Sequence, residues 1–208
     1  PLLAVPLWAR MSRRPGRYLT IVAVVAGVGL LPVASGSGGA PPGLVKYAVS
    51  WEFNGPLFEP LWRALDAVGA PERVAGLLDG VKSLSGRHEE VNALYAYRDP
   101  QFLAKLVLWA VLAVAVVVSL RQRDAIVGTG RLFGWMVLCS ATVYPWYLVW
   151  VLPWAALCRQ RAGLALSALI QLGYLPHLLG GSLVPWYFAA IWVPFAILLA
   201  RTPRWSID

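Results

Sequence analysis

Three short segments carry the side chains best suited to recognising a polar ligand. The first is Ser50-Trp51-Glu52-Phe53-Asn54-Gly55-Pro56. A carboxylate and an amide set between two aromatics suit an array of sugar hydroxyls, because Glu52 and Asn54 can bond hydroxyls while rings cover the apolar sugar face. The same residues also have a purely local reading, in which Asn54-Gly55-Pro56 turns the chain and Asn54 caps the next helix. The second segment is Thr142-Val143-Tyr144-Pro145-Trp146-Tyr147-Leu148-Val149-Trp150-Val151-Leu152-Pro153. Pro145 suits the first turn of a helix, and Trp146 and Tyr147 suit either a ligand site or a membrane–water boundary. The third is Pro176-His177, followed by Pro185-Trp186-Tyr187; His177 reads as an outer-face polar residue, structural or ligand-facing. The sequence holds no metal-ligand cluster, no phosphate-cradling glycine loop, no G-x-S-x-G and no nucleophile–base pairing. Cys139 and Cys158 fall in apolar segments and read as inert buried thiols.

The elements that must position these segments are set by composition. Of 208 residues, 59% are hydrophobic and 13% charged, about half the charged share of a soluble domain, and mean hydropathy is +0.63. A water-soluble globule would lack the polar surface to cover itself, and disorder is excluded by the apolar content. Apolar stretches run over Tyr18–Ala34, Gln101–Leu120, Ala125–Cys158 and Ala162–Ala200. The first two are single spans by length. The fourth is broken at Gly180-Gly181-Ser182 before Pro185 and reads as two. The third needs a tight turn around Thr142–Pro145 to give two spans of about 17 residues. The expectation is an all-α, polytopic transmembrane helical bundle of about six spans, forming one membrane domain over 1–208. Pro1–Ala9 reads as the tail of a span that began upstream, so that the chain is the C-terminal part of a longer one.

Six spans gather Arg10, Arg13, Arg14, Arg17, Arg121, Arg123, Arg159, Arg161, Arg201 and Arg204 on one side, which the positive-inside rule makes cytoplasmic. The other side holds Ser35–Pro100, with six basic and eight acidic residues. The expected setting is a plasma membrane, multi-pass, with a cytoplasmic C-terminus. The net charge of +8 is then a topology signal, and nucleic acid is not an expected partner. Within the outer loop, Leu57, Phe58, Leu61, Trp62, Leu65 and Val68 form one helical stripe. Val74, Leu77, Leu78 and Val81 form another, opened by Pro71 and Glu72. Both predict short amphipathic helices.

The run YPWYLVWVLP, preceded by a loop containing WEFNGPLF, resembles the C-terminal half of the GT-C class of integral-membrane glycosyltransferases. More narrowly, it is similar to bacterial polyprenyl-phosphomannose-dependent mannosyltransferases. The resemblance covers Trp51–Phe58 and Thr142–Pro153. It implies a helical bundle with an extracytoplasmic active site and a lipid-phosphate-linked sugar donor. It implies that Trp51, Glu52, Asn54, Tyr144, Trp146 and Tyr147 line the donor site, with Arg98 and Lys105 as the nearest cations for the lipid phosphate. No cofactor is expected beyond the polyprenyl-phosphate sugar; the other expected partners are membrane lipid and a glycan or glycolipid acceptor. The acidic catalytic residue of such enzymes lies in a first outer loop that this sequence does not contain, and neither Glu52 nor Glu59 matches its motif. Two other functions fit the composition: a transporter or flippase for lipid-linked glycans, and a non-catalytic membrane scaffold.

Overall fold

The computed structural model describes residues 4–34, 52–179 and 184–202. Within them every regular element is helical: α1 (Val5–Met11), α2 (Pro15–Ala34), α3 (Phe58–Ala67), α4 (Ala70–Ser85), α5 (His88–Leu94), α6 (Pro100–Leu120), α7 (Ala125–Leu138), α8 (Leu152–Leu157), α9 (Arg161–Leu169), α10 (Leu175–Leu179) and α11 (Val184–Arg201). Short 3-10 segments occupy Tyr95–Arg98, Pro145–Trp150 and Ile170–Tyr174. The helix starts follow from local chemistry. Asp99 accepts from the Gln101 N–H ahead of Pro100, Asp124 accepts from the N–H groups of Ile126 and Val127, and Gln160 accepts from that of Ala162. Each satisfies backbone donors that have no partner inside the helix.

Among the described residues α6 is the one helix long and apolar enough to cross a membrane by itself. Its face bearing Trp109, Val114 and Val117 is about half exposed or more, a surface that calls for an apolar surrounding. Pro15–Val28, Ala125–Leu138 and Trp186–Arg201 are shorter apolar runs. The two loop stripes do form helices, α3 and α4, but with different fates. Phe58 on α3 is fully buried against Ala104 and Leu108 of α6, with Leu61, Trp62 and Leu65 packed around it. α4 buries no residue, and its Leu77 and Leu84 are 71% and 90% exposed.

The stretch Ala125–Cys158 divides differently from two runs of about 17. α7 has 14 residues, the chain is irregular from 139 to 144, and the return leg is six residues of 3-10 helix followed by the six of α8. Pro145 is the cause on the return side. It forces Tyr144 out of the helical region, to ψ 156°, and Pro153 in the first turn of α8 starts a separate helix. Each leg is about 21 Å long at 1.5 Å per α residue and 2.0 Å per 3-10 residue. The next leg, α9 through α10, is 3-10 over Ile170–Tyr174, just ahead of Pro176, which has no N–H to continue the α-helical bonding.

The main core joins α7, the Pro145–Trp150 segment, α8, α9 and α11 through Phe133, Leu148, Ala155, Leu166, Ile170 and Ile191. At one end of the bundle the Arg10 guanidinium donates to the Leu120 carbonyl. Near α9, Gln160 Nε2 donates to the Thr202 carbonyl at 2.7 Å. These contacts draw Arg10 toward Arg121, and Arg159 and Arg161 toward Arg201.

Candidate functional site

An interrupted helix strands backbone polar groups, and in an apolar setting each must find a partner. The break between α7 and Pro145 finds them in the loop before α3. The Phe53 N–H donates to the Ala141 carbonyl at 3.1 Å, and the Val143 N–H donates to the Phe53 carbonyl at 2.7 Å. Within the break, the Ser140 hydroxyl donates to the Thr142 carbonyl at 2.6 Å and accepts from the Thr142 N–H at 3.2 Å. Loop and break thus form a miniature paired ribbon, bridged at Phe53–Thr142 and Asn54–Thr142.

The approach is close enough to dictate residue types. A Cβ on Gly55 would lie 2.6 Å from the Ser140 carbonyl oxygen and 3.0 Å from that of Ala141, so only glycine fits. Asn54 adopts φ 57°, a left-handed conformation that asparagine tolerates better than most residues. Its side chain turns inward: Oδ1 accepts from Trp192 Nε1–H at 2.8 Å, and Asn54 is only 2% exposed. The expectation that Asn54 caps the following helix is corrected, since α3 starts after Leu57 with no side-chain cap. Only Oδ1 of Asn54 is engaged by α11; Nδ2 is buried and has no hydrogen-bond partner among the described residues.

The aromatic residues assemble beside this ribbon. Phe53 stacks on Tyr144 at 4.5 Å and 13°, and Tyr144 stacks on Trp146 at 4.4 Å and 8°. Tyr147 meets Tyr144 and Trp146 edge-on at 6.3 and 6.2 Å. The ladder is anchored at Phe53 and ends at Trp146, which is 53% exposed. Beneath it lies a cavity of about 230 Å³ lined by Phe133, Met136, Ser140, Thr142, Tyr147 and Trp150. Next to Phe53, Glu52 forms an ion pair with Lys105 at 2.7 Å, with side chains 18% and 11% exposed. Lys105 also sits 5.7 Å above the Phe58 ring. An anionic ligand reaching Lys105 would have to share it with Glu52.

No protein-family model, curated protein or solved structure matches this chain.

The structure therefore brings Glu52, Asn54, Tyr144, Trp146, Tyr147 and Lys105 into one neighbourhood. Trp51 and the side chain of His177 lie outside the described residues. Arg98 is held over the Tyr95 ring at 5.9 Å, in the 3-10 segment before α6, and no described contact ties it to the ladder. Glu59 accepts from Trp62 Nε1–H at 3.2 Å and pairs with Arg63 at 3.3 Å. Among the described residues no group of three His, Cys, Asp or Glu could hold a metal ion. Sequence reasoning missed Phe53 as the base of the ladder, Gly55 as the contact glycine and Trp192 as the partner of Asn54. Gly55 had a signal in the Asn-Gly-Pro run. Trp192 had none, lying inside an apolar run 138 residues from Asn54.

Proposed function

We propose that this chain is the donor-binding part of a membrane glycosyltransferase. The sugar, mannose in the first instance, moves from a polyprenyl phosphate to a lipid-linked or glycan acceptor on the outer face of the membrane. The observation that carries the reading is the three-ring ladder Phe53–Tyr144–Trp146, open at Trp146, beside the Glu52–Lys105 pair and an apolar cavity. The exposed terminal ring of the ladder suits the apolar face of a sugar, the cavity suits an isoprenoid segment, and Lys105 suits a phosphate between them.

A six-span, arginine-inside topology fits this use. Legs of about 21 Å fall short of a hydrocarbon core about 30 Å thick, so the break and its ladder lie in a dip below the outer surface. That dip is where the head of a lipid-linked sugar must be met. The chain supplies donor binding and not the catalytic base: Glu52 is committed to Lys105 and Glu59 to Arg63 and Trp62. A base from another part of the enzyme deprotonates the acceptor hydroxyl, and the lipid phosphate leaves.

One observation favours a second reading. Broken helices lining a cavity are also how transporters build substrate sites, so a flippase for lipid-linked glycans would use the same break. Binding by purified protein in lipid nanodiscs tests the sugar platform, and transport assayed in sealed vesicles separates the two readings. On the transferase reading, Trp146→Ala weakens polyprenyl-phosphomannose several-fold, consistent with about 0.5–1.5 kcal/mol for an aromatic contact, and leaves sugar-free polyprenyl phosphate unchanged. Equal loss for both ligands, or for neither, rejects the sugar platform. Transbilayer movement of the lipid-linked sugar by the protein would establish the flippase.

A further inference from the structure

At the arginine-bearing end of the bundle lies a second cavity of about 330 Å³. Its walls are mostly apolar, with Trp135, Phe195 and Leu199 among them, but it also contains Ser119, Arg131 and Gln160. Gln160 is engaged at both ends of its amide: its carbonyl accepts from the Ala162 N–H, and its Nε2 donates to the Thr202 carbonyl. The other two are not. Ser119 is 1% exposed, and its hydroxyl has no hydrogen-bond partner among the described residues. That is a costly state for a buried polar group. Arg131 lies about 10 Å along α7 from the Asp124 cap at 1.5 Å per residue, and no described carboxylate pairs with it. Asp124, the nearest acid along the helix, is occupied by the Ile126 and Val127 N–H groups.

We infer that this cavity binds an anionic, phosphate-bearing lipid, with Arg131 and the Ser119 hydroxyl holding the headgroup and the apolar walls holding part of a chain. A guanidinium supplies forked donors matched to phosphate oxygens, and the orphaned hydroxyl supplies one more. A free phosphate ion would leave the apolar lining uncovered, whereas an amphiphile satisfies both surfaces. The end of the bundle is rich in arginines that attract the same class of lipid. The site shares the apolar Val137 with the cavity under the ladder but none of its polar groups, and it does not rest on the transferase reading.

The test is thermal unfolding of the purified full chain in detergent, titrated with phosphatidylglycerol, phosphatidylcholine or inorganic phosphate. Phosphatidylglycerol is expected to stabilise the wild type, and the other two are not. Arg131→Gln should require about tenfold more phosphatidylglycerol for the same shift, while Arg63→Gln in the outer loop should respond like the wild type. Ser119→Ala should weaken the response several-fold without lowering basal stability, and it decides the question if Arg131→Gln fails to fold. An equal response to phosphatidylcholine, a full response to inorganic phosphate alone, or an unchanged response in these variants would overturn the inference.

Discussion

Glu52→Gln tests whether the Glu52–Lys105 pair is a structural clasp. The side chains are only 18% and 11% exposed and 2.7 Å apart, so removing one charge leaves the other poorly solvated. Removing one member of a buried pair costs about 3–5 kcal/mol. Glutamine keeps a carbonyl that can accept from Lys105, and some water reaches both groups, so about 2–3 kcal/mol is expected here. Lys105→Met should cost a similar amount by stranding Glu52. The double variant strands neither charge and should recover much of the loss, giving a coupling of about 1.5–3 kcal/mol. Reversible unfolding in mixed micelles, run as a double-mutant cycle, measures it. Strict additivity, or two neutral single variants, would refute the clasp and return Lys105 to the role of an independent cation.

Three further outcomes follow from the geometry. Gly55→Ala should push the loop off the break, because its Cβ would meet two backbone oxygens; the reader is faster amide exchange at Phe53 and Val143, and unchanged exchange would contradict the close approach. Trp192→Phe should destabilise by about 1–3 kcal/mol by leaving Asn54 Oδ1 without its donor, measured by the same unfolding assay. The Tyr95 phenol ionises above its ordinary value of 10.0, chiefly because it donates a hydrogen bond to Asp79, with burial adding to the effect. The contact's contribution is therefore complete below pH 10 and is lost as pH rises through the raised value. The late-titrating part of the phenolate absorbance should lose one tyrosine in Asp79→Asn.

Much of this arrangement was legible because it is local. The stripe from Leu57 to Val68 becomes α3, and the apolar stretches opening at Gln101 and Ala125 become α6 and α7, which start within a residue of those positions. Pro145 announced a new segment, though not that the return leg would be 3-10 helix. The relation of the WEFN and TVYPWY segments was legible only as a requirement of shared function. What joins them is backbone pairing between residues about ninety apart, and backbone hydrogen bonds leave no residue-type signature. The inward turn of Asn54 was hidden for a related reason. Its donor, Trp192, sits in a helix whose apolar pattern says nothing about which neighbour it meets. Lys105 read as an interfacial cation because its counter-charge, Glu52, lies 53 positions earlier in the chain.

The orientation claim is open to cysteine labelling in a background lacking Cys139 and Cys158, both free and buried. A probe at Ser85, exposed at the end of α4, should label from outside, and one at Gln122 should not; outside labelling of Gln122 would reject the six-span topology. The donor site itself is tested most directly by photolabelling. A polyprenyl-phosphomannose carrying a diazirine on its first isoprene unit would be added to membranes containing the protein, and labelled peptides mapped by mass spectrometry. The account predicts label within 140–150, beside the ladder and its cavity, competed by unlabelled donor and reduced by Trp146→Ala. Uncompeted label spread along the exposed faces of α2 and α6, or label confined to the Arg131 end of the bundle, would contradict it.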